Sequence, residues 1–173
     1  FGKLPTYFDA WLKTVQYNSK FDFLILTDSL YEKKLPKNVY LREYSLLQFR
    51  ERATEVLNSR VSIKKAYRVC DFRPMYGLIF QDFIFKYDFW GYCDIDLVFG
   101  NIASFVTDKM LNDYDAIFNA GHFTLIRNAE KTNTLFKQGG SLYSYQTVIK
   151  NDAVFAFDEF TGIQRIAHQT GLK

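Results

Sequence analysis

Asp94 and Asp96, separated by Ile95, form the sharpest chemical signal in the chain. Residues i and i+2 of an extended strand point to the same side, so the two carboxylates can converge on one hard cation or its water shell. Oxygen-only ligation favours Mg²⁺ or Mn²⁺, held by one or two carboxylates together with substrate phosphates. The triplet ends the apolar run Phe89-Trp90-Gly91-Tyr92-Cys93 and is followed by Leu97-Val98-Phe99-Gly100, so the acids interrupt what would otherwise be core. Two unpaired carboxylates are costly to bury, and a bound cation removes that cost. The competing reading is a turn or a solvated loop. A second acidic pair, Asp158-Glu159, is embedded in Phe155-Ala156-Phe157-Asp158-Glu159-Phe160. A carboxylate there can serve as general base towards a hydroxyl, with burial among rings raising its pKa. Acids that favour a helix N-terminus are the alternative. His122 is a candidate for lining a substrate site, against the plainer reading of a structural strand histidine.

The elements that must position these residues read as alternating helices and strands. Apolar spacing predicts a helix over Thr6 to Tyr17, and Phe21 to Leu26 reads as a buried strand that delivers Thr27-Asp28-Ser29 at its C-terminal end. Asn38 to Leu41 is a second strand and Leu46 to Leu57 an exposed amphipathic helix. Pro74 is placed to open a helix running to about Lys86, and Phe89 to Tyr92 is the strand leading to the acidic triplet. Asn101 to Leu111 reads as a helix, Asp115 to Asn119 and His122 to Arg127 as strands, and Thr132 to Gln138 as a helix closed by Gly139-Gly140. Such alternation predicts a single α/β domain with a mostly parallel mixed sheet flanked by helices. Ligands of open α/β sheets bind beyond the carboxyl ends of strands, where Asp94 and Asp96 fall.

Composition agrees with one packed domain. The chain has 173 residues, 48% hydrophobic and 24% charged, which excludes a disordered, collagen-like or coiled-coil protein. Its 18 Phe, 12 Tyr and 2 Trp favour a sheet-containing fold. A net charge of +3 is too small to indicate a nucleic-acid binder. The charge is nevertheless segregated: residues 1–73 carry 14 basic and 8 acidic residues, the remainder 8 basic and 11 acidic. A basic half beside an acidic half suits a site that takes a polyanion on one side and a cation on the other, or else is merely solvated surface. Cys70 and Cys93 lack zinc spacing and read as reduced core thiols. No apolar run reaches about 18 residues and no signal-like region opens the chain, so cytoplasm is the expected compartment.

The segment Phe89-Trp90-Gly91-Tyr92-Cys93-Asp94-Ile95-Asp96-Leu97-Val98-Phe99-Gly100-Asn101-Ile102 resembles the DxD segment of a bacterial family of GT-A-type glycosyltransferase-like proteins. Phe1-Gly2-Lys3-Leu4-Pro5, Cys70-Asp71-Phe72-Arg73-Pro74 and Gly121-His122-Phe123-Thr124-Leu125-Ile126-Arg127-Asn128 resemble other segments of that family in the same order. The resemblance implies a GT-A-like fold and a metal-dependent hexosyltransferase-like enzyme. It would move a sugar from a nucleotide-diphosphate-sugar, UDP in preference to GDP, to a saccharide acceptor in surface polysaccharide assembly, and a peripheral place at the inner face of the membrane is compatible with that role. Asp94 would approach the ribose or the metal and Asp96 the metal, Mn²⁺ or Mg²⁺, whose charge offsets that of the diphosphate leaving group. Asp28 is implied at the base or ribose, Lys3, Lys65 and Arg73 at the phosphates or nucleotide, and Asp71 at the nucleotide. Asp158 and Glu159 are the candidate catalytic carboxylates, and His168 a candidate third metal ligand. The chain begins with Phe1 and is expected to be cut at both ends, just after a first strand and before a C-terminal portion that completes the acceptor site.

Two rival readings compete with this one. A haloacid-dehalogenase-like phosphatase also carries strand-DxD, with Val98 at a fitting position, but its motif belongs to the first strand. A non-catalytic sugar- or nucleotide-binding module on the same fold is the other.

Overall fold

The computed structural model describes residues 1–118 and 122–173; Asn119 and Gly121, which the expected strand and the quoted segment include, lie outside the described residues. In chain order the elements are α1 (Phe8–Gln16), β1 (Phe23–Thr27), β2 (Val39–Glu43), α2 (Leu46–Val56), a 3-10 helix over Ala66–Met75, α3 (Tyr76–Ile79) and α4 (Gln81–Ile84). There follow β3 (Phe89–Cys93), a 3-10 turn over Ile102–Ser104, α5 (Asp108–Asp113), β4 (Ala116–Ile117), β5 (Phe123–Arg127), α6 (Glu130–Asn133), a 3-10 turn over Leu135–Lys137, α7 (Tyr145–Lys150) and α8 (Ile163–Thr170). The result is a single α/β domain.

The helices form where the sequence supplies both an apolar face and a cap. α1 buries Phe8, Trp11, Leu12 and Val15, the three-four spacing of one helical face. α2 starts at a capping box in which the Ser45 hydroxyl accepts from the Gln48 N–H while the Gln48 side chain accepts from the Ser45 N–H.

Among the described residues the expected mostly parallel sheet is not found. β1 and β2 pair in parallel as one two-stranded sheet, and β3-β5-β4 form a second, wholly antiparallel one. The few residues between β4 and β5 are too short for a parallel crossover, so those strands meet antiparallel. Gly91 lets β3 lie close on β5, because a Cβ there would stand 2.1 Å from the Thr124 carbonyl oxygen.

Three expected helices are broken. The span from Pro74 to Lys86 divides at Phe80: the Arg52 Nε–H donates to the Ile79 carbonyl, replacing a helical partner, and Phe80 turns onto Phe49 and Tyr76. Pro74 itself sits inside the 3-10 helix rather than opening an α-helix. Asn101 to Leu111 divides because Thr107 caps a new start, its hydroxyl accepting from the Met110 N–H. Thr132 to Gln138 divides at Thr134.

Two hydrophobic clusters form the core. One gathers Phe49, Phe72, Met75, Ile79, Phe136 and Phe157 among the helices. The other packs α1 onto β1, β2 and β4 through Trp11, Val15, Phe23, Val39 and Ile117. A cavity of about 1140 Å³ is lined by residues of both clusters and by Leu24 to Leu26 of β1 and Phe89 to Cys93 of β3. Among the described residues no helix is long and apolar enough to cross a membrane.

A buried ion pair ties the helical cluster together. Arg68 and Asp71, each about 1% exposed, bond to one another within the 3-10 helix. The Arg68 guanidinium also donates to the carbonyls of Val148 (2.6 Å) and Asn151 (2.9 Å), and Asp71 accepts from the N–H groups of Phe155 (3.1 Å) and Phe157 (2.7 Å). Asp71→Ala leaves a buried guanidinium and two N–H groups without their acceptor, and the expected loss is about 3–5 kcal/mol. Urea denaturation measures it; an unchanged midpoint would contradict the bracing role.

Candidate functional site

Four side chains from distant parts of the chain meet beyond the C-terminal end of β3. Asp94 follows the last residue of that strand, and its N–H donates to the His122 carbonyl (2.9 Å), extending the β3–β5 ladder by one bond. Arg73 comes from the last turn of the Ala66–Met75 helix and Asp158 from the segment between α7 and α8. One guanidinium nitrogen of Arg73 donates to Asp94 Oδ1, and the other donates to Asp158 Oδ2 at 3.0 Å. The second Asp94 oxygen faces His122 Nδ1 at 2.6 Å. Tyr92 places its ring 5.4 Å from the guanidinium carbon, a cation–π contact that holds the fork from a third side.

Asp158 is delivered by a strained and braced turn. Ala156 adopts φ 50°, the left-handed region that a residue with a Cβ avoids. The Thr161 hydroxyl bonds at the Phe155 and Ala156 carbonyls, and Asp71 takes the N–H groups of Phe155 and Phe157. Gly162 is required because a Cβ would stand 2.1 Å from the Phe157 oxygen. Strain of this kind persists only where the surroundings over-determine it. α8 begins at Ile163, so Asp158 and Glu159 lie in the turn ahead of the helix rather than at its N-terminus.

Burial raises the Asp158 carboxyl to about 6, against the opposing pull of Arg73. Burial likewise pushes the Cys93 thiol up to about 12, and raises that of Cys70, so both cysteines are thiols at neutral pH. Both are free and half-buried.

The other expected residues are distributed as follows. Asp96 is exposed in the turn after Asp94. Asp28 accepts from the Gly2 N–H (2.7 Å) while the Ser29 hydroxyl donates to the Gly2 carbonyl (2.6 Å), so the loop bearing the exposed Lys3 is tied to the end of β1. Lys65 is exposed at the start of the Ala66–Met75 helix, Glu159 is exposed beside Asp158, and His168 is exposed in the last turn of α8. Asp71 requires a correction: it is buried and its oxygens are taken by Arg68 and two backbone N–H groups, so it holds the fold rather than a nucleotide. Arg68 was not legible as part of this machinery, although Arg68-x-x-Asp71 is the spacing of a one-turn ion pair.

The residues fit a divalent cation in a restricted way. Among the described residues no group of three or more His, Cys, Asp or Glu side chains is placed to hold a metal, and both Asp94 oxygens already have partners. Of the two acids of the triplet, Asp96 is the one with an open carboxylate, which suffices for a hydrated Mg²⁺ or Mn²⁺ that completes its shell with water and substrate phosphates.

A family model matches residues 1–173, the whole chain. The chain belongs to DUF6625, a family of unknown function. No curated protein and no solved structure matches it significantly.

The raised Asp158 carboxyl sets a pH dependence. Its folded value lies above the unfolded one, so the stability it contributes is full below about pH 4 and is lost as pH rises through about 6. Relative to Asp158→Asn, the wild type is expected to lose about 2–3 kcal/mol over that window, because each tenfold difference in proton affinity between the folded and unfolded chains is worth about 1.4 kcal/mol. Because Arg73 opposes the rise, Arg73→Met is expected to move the Asp158 titration, followed by carboxyl ¹³C NMR, to still higher pH.

Proposed function

We propose that the protein is a GT-A-like glycosyltransferase that moves a sugar from a nucleotide-diphosphate-sugar donor to a saccharide acceptor. The observation that carries this reading is the convergence of Asp94, Arg73 and the basic carboxylate Asp158 beyond the end of β3, with Asp96 open beside them. Crevices outside strand carboxyl ends are where α/β sheets bind ligands.

In this reading Asp158 is the general base. A carboxylate with a pKa of about 6 is ionised at neutral pH yet more basic than an ordinary aspartate, which suits removal of a hydroxyl proton. The acceptor oxygen attacks the anomeric carbon, its proton passes to Asp158, and the bond from that carbon to the diphosphate oxygen breaks with inversion. Arg73 orients Asp158 and keeps it ionised. Asp28, and Lys3 in the loop that Gly2 ties to Asp28 and Ser29, would take the nucleoside and phosphates in this reading. Asp96 would hold Mn²⁺ or Mg²⁺, which offsets the charge of the departing diphosphate. A phosphatase of the haloacid-dehalogenase type is less well supported, since its first acid must be a free nucleophile and Asp94 shares both oxygens.

Isothermal titration with UDP and GDP, with and without Mn²⁺, tests the donor site. Metal-dependent binding of one nucleotide, lost in Asp96→Ala, is the expected result; binding of neither by the folded protein overturns the reading. Asp158→Asn is expected to keep nucleotide affinity within about twofold while lowering turnover by roughly 10²–10⁴, the range of general-base catalysis.

A further inference from the structure

Arg73 occupies the place that electrostatics would otherwise give to a bound cation. Its fork ends on two carboxylates that lie 64 positions apart in sequence, Asp94 and Asp158, and its side chain is only 16% exposed. The Tyr92 ring fixes the guanidinium from a third direction. Two carboxylates held near one another repel and resist ionising together unless a positive charge stands between them. Arginine supplies that charge permanently, because it is not deprotonated in proteins and its planar fork matches two acceptors at once. His122 Nδ1 engages the remaining oxygen of Asp94.

We propose that Arg73 is the built-in counter-ion of this centre, and that it keeps Asp94 from acting as a ligand for divalent cations. The two acids of the triplet then divide their work: Asp94 is an internal partner of Arg73, while Asp96, exposed in the following turn, is the carboxylate that an external cation can reach. Cation binding at Asp94 requires Arg73 to leave, and the departure breaks the bond to Asp94 while Asp158 and Tyr92 still hold the guanidinium. Removing the guanidinium charge therefore opens Asp94 to a cation. The inference deepens the cation role assigned above to the triplet but does not need a nucleotide or sugar transfer for its test.

Binding of Mn²⁺ alone, read at pH 7.5 from the loss of the free-ion EPR signal, separates the possibilities. In the wild type, Asp96→Asn is expected to abolish whatever binding is present, while Asp94→Asn changes it by less than twofold. Arg73→Gln is expected to tighten Mn²⁺ binding at least tenfold, and the gain disappears in Arg73→Gln/Asp94→Asn. Arg73→Lys, which keeps the charge, stays at the wild-type level. The proposal is overturned if Asp94→Asn weakens wild-type binding as much as Asp96→Asn does. It is equally overturned if folded Arg73→Gln shows no Asp94-dependent gain. Circular dichroism checks folding, and if Arg73→Gln does not fold, the Asp94→Asn comparison in the wild-type background decides alone. Nucleotide binding that fails in the earlier titration would remove the donor reading and leave these Mn²⁺ outcomes intact.

Discussion

The pair Arg68–Asp71 is the interaction on which the arrangement of the site depends. Both side chains are almost fully buried, and their hydrogen bonds run to a segment some eighty residues further along the chain. A buried ion pair adds little net stability over an apolar replacement, because desolvating two charges offsets most of their attraction. Its value here is geometric. Asp71 accepts from the N–H groups on either side of Ala156, and so holds the backbone in a conformation that its own preferences oppose. The turn so formed ends at Asp158. Arg73 leaves the same 3-10 helix two residues beyond Asp71, and the brace and the clamp are thus built on one rigid element.

The charge distribution gains meaning from this geometry. Arg73 belongs to the basic first part of the chain; its partners Asp94 and Asp158 belong to the acidic remainder. Folding brings the two parts together at partly buried positions, where charges interact more strongly than in water. Asp158 shows both consequences at once. Burial makes its carboxyl more basic, and the guanidinium beside it limits the change, which leaves a group that titrates just below neutrality.

The sheet places these groups with few strands. Among the described residues β1 and β3 each have one strand neighbour, and both strands line the cavity. The β3–β5 ladder positions Asp94 and His122 opposite one another, whereas the β1 end carries the separate Gly2–Asp28–Ser29 cluster. Open α/β sheets bind ligands outside the carboxyl ends of their strands, and here two of those ends present polar side chains.

Much of this was legible in the chain itself. Apolar periodicity located α1, β1, α2, β3 and β5 to within two residues or so, because the stripe that must be buried is written in residue type. The acidic triplet stands at the end of an apolar run, and Asp158 stands out by its aromatic surroundings. Tertiary structure decided the rest. Strand direction depends on which edges meet, so the parallel sheet expected from alternation proved to be one parallel pair and one antiparallel sheet. Helix continuity was lost at Phe80, where a side chain from α2 supplied the carbonyl partner. The sequence by itself determined which residues are chemically capable, since ionisable and apolar character are properties of each side chain. Which carboxylate is spent on the fold, as Asp71 is, which is clamped, as Asp94 is, and which stays open, as Asp96 does, was settled by contacts between residues remote in sequence, because burial and charge pairing exist only once the chain has closed on itself.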